Sequence, residues 1–159
     1  MRQASFAENH AFVVWQSKDL INWGSETNIN LREIEGFEGI DRAWAPQVIY
    51  DSYVGKYLIY FSASPETEHN YSIAIYACYT EDFINIETPK LLFRPKSYND
   101  VIDADIVVGD DGKVYMYYKD EKEQKIYFAT ANSFEDISKY MQSEDKDGFG
   151  WELDKDNLI

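Results

Sequence analysis

Two carboxylates lie close together in residues 101–106, which read Val-Ile-Asp-Ala-Asp-Ile. Asp103 and Asp105 open a run that is typical of a β-strand, and on a regular strand both side chains would project from the same face. Two carboxylates on one face could carry acid–base chemistry or line a polar cavity. The alternative for Asp103 is a turn aspartate that accepts hydrogen bonds from backbone N–H groups. The rest of an EF-hand calcium pattern is absent, so we predict no metal site here.

The two histidines do not extend this pair into a metal or catalytic cluster. His10 and His69 are far apart in the chain, and neither has a second ligand at metal-binding spacing. His69 belongs to a polar stretch, residues 65–70, and is most simply exposed. The sequence contains no phosphate-binding loop, Ser-His-Asp order or zinc signature. We therefore predict that this chain itself binds no metal and no cofactor.

The composition excludes several classes of protein. A length of 159 residues suits one domain with a real core, and the net charge of −14 argues against nucleic acid or an anionic membrane as a partner. No stretch approaches the roughly 18 apolar residues of a membrane span. Residues 1–10 lack the basic start and apolar core of a signal peptide. The single cysteine, Cys78, lies in an apolar run and is expected to be a buried hydrophobe.

The chain repeats short motifs at similar intervals. Residues 17–23 (SKDLINW) match residues 80–86 (TEDFINI) at an offset of 63. Residues 55–61 (GKYLIYF) match 112–118 (GKVYMYY) at an offset of 57, and residues 83–86 match 134–137 at an offset of 51. Repeats of this length are typical of β-propellers and related repeat architectures.

Alternating and β-rich runs around these motifs predict an all-β fold. Gly55 and Gly112 stand in tight turns where a positive φ is required. The predicted strands cover residues 47–50, 57–63, 72–79, 105–108, 114–119 and 125–131. Residues 134–141 could make one short turn of helix. The expected unit is a blade of four short antiparallel strands.

Three motifs, in this order and spacing, resemble those of glycoside hydrolase family 43. They are residues 15–23 (WQSKDLINW), 43–48 (AWAPQV) and 101–106 (VIDADI). The resemblance covers about residues 12–159 and implies a five-bladed β-propeller. The chain would be one partial propeller domain, residues 1–159. Its units would be the end of blade one (10–31), blade two (40–93), blade three (100–140) and the start of blade four (149–159).

The resemblance also implies which catalytic groups are present. In the family, an Asp of the first blade is the base, an Asp of an Ile-Asp motif in the third blade modulates the pKa of the acid, and a Glu of a Glu-Gly motif in the fourth is the acid. Asp103 falls at the position of the modulator. Residues 1–9 contain no aspartate that could be the base. Glu152 has no glycine after it and is expected to be a solvated surface residue, so the acid is missing too.

Four further residues are candidates for contact with a carbohydrate substrate. Trp44 matches a second-blade motif in which an aromatic ring faces the active site, and such a ring suits the apolar side of a sugar. The alternative is a core tryptophan that packs blade two on blade one. Gln47 stands where the motif normally has Glu, so it keeps hydrogen-bonding capacity without the charge. Asp105 and His10 could also touch substrate.

The function implied is inverting hydrolysis of arabinofuranosyl or xylosyl linkages in plant polysaccharides. The chain would be a fragment of such an enzyme and is expected to be inactive alone. A non-catalytic carbohydrate-binding or structural propeller fragment is the alternative. A further alternative is a retaining furanosidase, such as a fructan hydrolase. The resemblance implies a secreted or periplasmic parent enzyme and allows an axial calcium or sodium ion in the complete propeller. Exposed blade edges favour a homo-oligomer.

Overall fold

The computed structural model describes residues 9–40, 42–65 and 72–153. In these ranges the chain forms ten β-strands, one α-helix and one short 3-10 helix. The strands pair into three antiparallel sheets, so the prediction of a β-sheet protein is confirmed. Neither helix in these ranges has the length and apolar character of a membrane-spanning segment.

The three sheets follow one another along the chain. Sheet I contains β1 (Ala11–Val14) and β2 (Thr27–Asn30), which is followed by the 3-10 helix Leu31–Glu33. Sheet II has the order β3 (Ala43–Asp51), β4 (Lys56–Ala63), β5 (Ala74–Thr80) and β6 (Lys90–Phe93). Sheet III has the order β7 (Val101–Val108), β8 (Val114–Asp120), β9 (Lys125–Ala131) and β10 (Glu152–Leu153), with α1 (Phe134–Gln142) between β9 and β10 in the chain.

Sheet II lies between the other two sheets and is covered on both faces. On one side, the Phe12 and Phe61 rings meet edge to face at 4.7 Å and join sheet I to sheet II. On the other side, the Phe93 and Tyr118 rings lie 4.8 Å apart and join sheet II to sheet III. Every residue of β5 is buried as a result. Sheet III has one covered face, and on its other face Ile126 remains 47% exposed.

Two of the three sequence repeats are also structural repeats. Gly55 (φ 72°) and Gly112 (φ 80°) adopt the predicted positive φ in the first hairpins of sheets II and III. Residues 17–23 and 80–86 form the same turn. The Asp19 carboxylate accepts hydrogen bonds from the backbone N–H of Ile21 and Asn22, at 2.9 and 2.7 Å. Asp82 accepts the equivalent bonds from residues 84 and 85, both at 2.8 Å.

The third sequence repeat is not a structural repeat, because residues 134–137 and 83–86 have different conformations. Residues 134–137 form the first turn of α1, which runs for nine residues and is longer than the single turn expected. Ser133 caps this helix, since its side chain accepts a hydrogen bond from the Asp136 backbone N–H. Glu135 and Asp136 place negative charge at the positive end of the helix dipole. These local interactions favour a helix over the turn seen at residues 80–86.

Residues 149–159 were expected to open a further blade, and the structure differs. Glu152 and Leu153 pair with Thr130 and Ala129 of β9, so β10 is the fourth strand of sheet III. The segment before β10 is held by Trp151, whose indole N–H donates to the Leu92 carbonyl at 3.2 Å. That contact turns the chain back along β9. Residues 154–159 lie outside the described residues.

Candidate functional site

The first strands of sheets II and III begin with the same irregularity. In β3 the pairing with β4 jumps from Trp44 to Gln47, and the inserted Ala45 has a φ of 47°. In β7 the pairing with β8 jumps from Ile102 to Asp105. Each is a β-bulge with an extra residue in the left-handed region, a conformation that usually requires glycine.

Asp103 is the left-handed residue of the β7 bulge, with a φ of 54°. On a regular strand Asp103 and Asp105 would share one face, but the bulge replaces the regular alternation between residues 102 and 105. Asp103 and Asp105 are both exposed, and Ala104 between them is buried in the core between sheets II and III. Both carboxylates are therefore free to meet a ligand from solvent.

Side chains of β4 reach across from sheet II and bind the β7 bulge. The Asp103 backbone N–H donates to Ser62 Oγ at 3.2 Å, and the Ile106 backbone N–H donates to the Tyr60 hydroxyl at 3.0 Å. The Tyr60 hydroxyl also lies 3.5 Å from Asp105 Oδ1, at the long limit of a hydrogen bond. Burial, followed by the Asp105 carboxylate, raises the pKa of Tyr60, so this phenol stays protonated at neutral pH.

Tyr60 and Ser62 contact the candidate site through the β7 backbone and were not among the residues predicted from the sequence. A signal did exist, because the 57-residue repeat places Tyr60 in register with Tyr117 and marks it as a recurrent position. The pairing confirms that register, since Tyr60 opposes Gln47 across the sheet as Tyr117 opposes Asp105. What the sequence does not encode locally is that β4 packs beside β7.

Trp44 lies at the start of β3 and is half-buried. Its strand partner is Ser62, the same residue that binds the Asp103 N–H, so Ser62 brings the starts of β3 and β7 together. The Arg42 guanidinium lies 5.7 Å from the centre of the Trp44 ring, within cation–π range. Gln47, after the bulge, is exposed.

His10 is half-buried and lies next to the start of β3. Its carbonyl accepts a hydrogen bond from the Leu31 N–H at 3.0 Å, and the carbonyl of the preceding Asn9 accepts one from the Ala43 N–H at 2.7 Å. The backbone therefore ties His10 close to Trp44 in the fold. His69 lies outside the described residues. In the part of the chain that is described, no group of three or more His, Cys, Asp or Glu side chains could hold a metal ion.

Two residues set aside in the sequence analysis have ordinary surroundings. Glu152 is exposed on β10. Cys78 is buried in the core between sheets I and II, and burial raises the pKa of its thiol to about 12. A thiol that stays protonated at neutral pH is a packing residue and a poor nucleophile.

An open groove of about 630 Å³ lies beside the β8–β9 hairpin, away from the predicted residues. Its aromatic wall contains Tyr118 and Tyr127, whose rings stack at 6.0 Å, together with Trp151. Its acidic wall contains Asp120, which is buried and accepts hydrogen bonds from the Lys122 and Glu123 N–H groups, both at 2.9 Å, and from the Asn99 amide at 2.8 Å. Sequence motifs gave no indication of this groove, because it combines residues from three separate segments.

The fold and the paired carboxylates define a repeat β-sheet protein with an exposed acidic bulge. A family model described as a probable glycosyl hydrolase domain, related to glycoside hydrolase family 43, matches residues 1–157. Since the match covers nearly the whole chain, the chain belongs to this family of glycosyl hydrolase domains. No curated protein matches the chain at a significant level.

Proposed function

We propose that this chain is part of the five-bladed propeller of an inverting glycoside hydrolase that acts on arabinofuranosyl or xylosyl linkages of plant polysaccharides. The observation that carries the proposal is Asp103, a carboxylate held in a strained bulge at the exposed start of β7 in a chain of this family. Strain of this kind concentrates at functional sites. In this arrangement sheets II and III are successive blades, and the bulged strands β3 and β7 are innermost.

Asp103 acts in this proposal through its charge. Inverting hydrolysis needs a carboxylate base that activates water and a carboxylic acid that protonates the leaving oxygen. A nearby negative charge disfavours ionisation of the acid and raises its pKa, which keeps it protonated at neutral pH. Asp103 is the modulator of an acid carried by another segment of the enzyme.

The sugar would lie along the starts of β3 and β7. Trp44 offers part of its ring to the apolar face of a sugar, and the exposed Gln47 amide offers a donor and an acceptor. Asp105 adds a second exposed acceptor beside Asp103. His10, held near the start of β3, completes the proposed contacts.

The chain alone lacks the base and the acid in this account. Residues 1–9 hold no aspartate, and Glu152 is an exposed residue of the fourth strand of sheet III. Within the described residues, no group of three or more His, Cys, Asp or Glu side chains could hold the axial calcium or sodium ion of a complete propeller.

A second candidate, a carbohydrate-binding domain without catalysis, is favoured by the groove beside the β8–β9 hairpin. Stacked tyrosines with neighbouring carboxylates are a common way to bind a sugar, through ring contact and hydrogen bonds to hydroxyl groups. In this alternative, Tyr127 and its neighbours hold the ligand and Asp103 has no role.

Calorimetric titration with xylotriose and arabinotriose distinguishes the two candidates. The proposal predicts that Trp44→Ala and Asp103→Ala each weaken binding at least tenfold, whereas Tyr127→Ala and the exposed-site control Asp110→Ala leave it unchanged. Loss of binding in Tyr127→Ala alone would favour the binding domain. Unchanged affinity in Trp44→Ala and Asp103→Ala would refute the proposed site.

A further inference from the structure

The β7 bulge contains a non-glycine residue in the left-handed region, a conformation that contacts with neighbouring residues can stabilise. Asp103 is not a glycine, and its φ of 54° brings its Cβ close to the following carbonyl oxygen. Such a conformation persists only where the surrounding structure holds it. The neighbouring carboxylate, Asp105, follows the bulge and takes its direction from it.

The groups that hold this bulge come from the neighbouring sheet. Ser62 Oγ accepts the Asp103 N–H at 3.2 Å, and the Tyr60 hydroxyl accepts the Ile106 N–H at 3.0 Å. Both side chains are almost completely buried, at 1% and 2% exposure, so water cannot readily replace them. The two hydrogen bonds bracket the carboxylates, since one lies at Asp103 and the other lies directly after Asp105.

We propose that Tyr60 and Ser62 form a latch that fixes the β7 bulge and thereby positions Asp103 and Asp105. A bulge normally disrupts the ladder of its own sheet and leaves an N–H group unpaired. Here β4 of the next sheet supplies the acceptors. The Tyr60 hydroxyl has one proton to donate after it accepts from Ile106, and Asp105 Oδ1 lies 3.5 Å away as an acceptor for it. Tyr60 and Ser62 are thus positioning residues.

Of the two latch residues, the internal repeat conserves the type of one and changes the type of the other. On β8, Tyr117 and Lys119 hold the positions that Tyr60 and Ser62 hold on β4. The tyrosine therefore recurs, whereas the small serine is particular to β4. A small side chain at residue 62 lets the Asp103 backbone approach within hydrogen-bond distance, and a lysine at that position would not.

The role of these carboxylates in catalysis rests on the proposed function, but the latch is tested without any sugar. Amide hydrogen exchange is measured by NMR on the full chain and on Tyr60→Phe and Ser62→Ala. Losing one net hydrogen bond corresponds to about 3- to 10-fold faster exchange of the amide concerned. We expect this acceleration at Ile106 in Tyr60→Phe and at Asp103 in Ser62→Ala. Ser62→Thr, which keeps the hydroxyl, should retain more protection at Asp103 than Ser62→Ala does.

Tyr53→Phe is the matched control, since Tyr53 is 59% exposed in the β3–β4 turn. It should change no exchange rate in β7. Exchange at Asp103 and Ile106 within twofold of the parent in both latch variants would overturn the proposal. Equal acceleration throughout sheet III would also overturn it, because it would mean general destabilisation. Selective acceleration combined with no oligosaccharide binding would support the latch and count only against the proposed function.

Discussion

Replacement of Asp51 by alanine should destabilise the protein by about 3–5 kcal/mol, since it leaves buried donors without an acceptor. Asp51 is completely buried at the end of β3. Its carboxylate accepts hydrogen bonds from the Tyr79 hydroxyl at 2.5 Å and from Ser138 Oγ at 2.6 Å. It also accepts the Tyr53 backbone N–H at 2.9 Å. The carboxylate therefore joins β3 and β5 of sheet II to helix α1.

The magnitude follows from these contacts. A hydrogen bond to a charged group contributes about 1.5–3 kcal/mol, and an orphaned buried hydroxyl costs about 1–3 kcal/mol. Ser138 retains the Phe134 carbonyl as an alternative acceptor at 2.9 Å, which reduces the sum. The Tyr79 hydroxyl loses the acceptor that it binds at 2.5 Å, so it accounts for the largest part of the loss. Asp51→Asn, which keeps one acceptor oxygen, should lose less, about 1–3 kcal/mol.

Urea unfolding monitored by circular dichroism measures the change through the midpoint and the slope. The matched control is Asp110→Ala, an exposed aspartate in the β7–β8 turn, which should change stability by less than about 0.5 kcal/mol. A loss below about 1 kcal/mol for Asp51→Ala would refute the reasoning, because it would mean that the three hydrogen bonds contribute little net stability.

Three other predictions concern activity, association and pH. The purified chain should not hydrolyse aryl arabinofuranosides or xylosides above background, since loss of a general acid or base reduces the rate by about 10²–10⁴ each; robust turnover would contradict this. The chain should self-associate through the outer face of sheet III, as measured by sedimentation. Ile126→Lys should weaken the association, whereas the control Ile84→Lys, on the 80–86 turn, should not. A monomer at tens of micromolar would count against this prediction. Hydrogen bonds, first from the Asn85 N–H, lower the pKa of Asp82 to about 2. The ionised Asp82 therefore stabilises the protein fully above the unfolded-state pKa of roughly 3.9, and this stabilisation is lost as the pH falls through about 2. The difference in free energy of unfolding between the parent and Asp82→Asn should narrow over that range. A difference that stays constant with pH would contradict this prediction.

Hairpins, turns and strands could be predicted from the sequence because residues close together in the chain determine them. Gly55 and Gly112 mark hairpins because only glycine takes positive φ without strain. The 17–23 and 80–86 turns could be matched because an aspartate side chain binds N–H groups two and three positions ahead of it. Strand positions could be recognised because alternating and β-rich runs are also local features of the sequence.

Features that depend on contacts between distant segments could not be predicted in this way. The assignment of β10 to sheet III depends on Trp151 and the Leu92 carbonyl, which are 59 residues apart. The bulge at Asp103 depends on Ser62 and Tyr60 of another sheet, and no glycine marks it in the sequence. The roles of Trp44 and Asp103 came from family motifs and stay predictions.

The proposed function places a sugar where the bulged strands β3 and β7 begin. Amide chemical shifts of the full chain, recorded during titration with xylotriose and arabinotriose, would locate that sugar. We expect the largest shift changes to cluster at residues 44–47 and 103–105 and to disappear in Asp103→Ala. Changes confined to the groove around Tyr127 and Trp151, or no saturable change with either sugar, would contradict it.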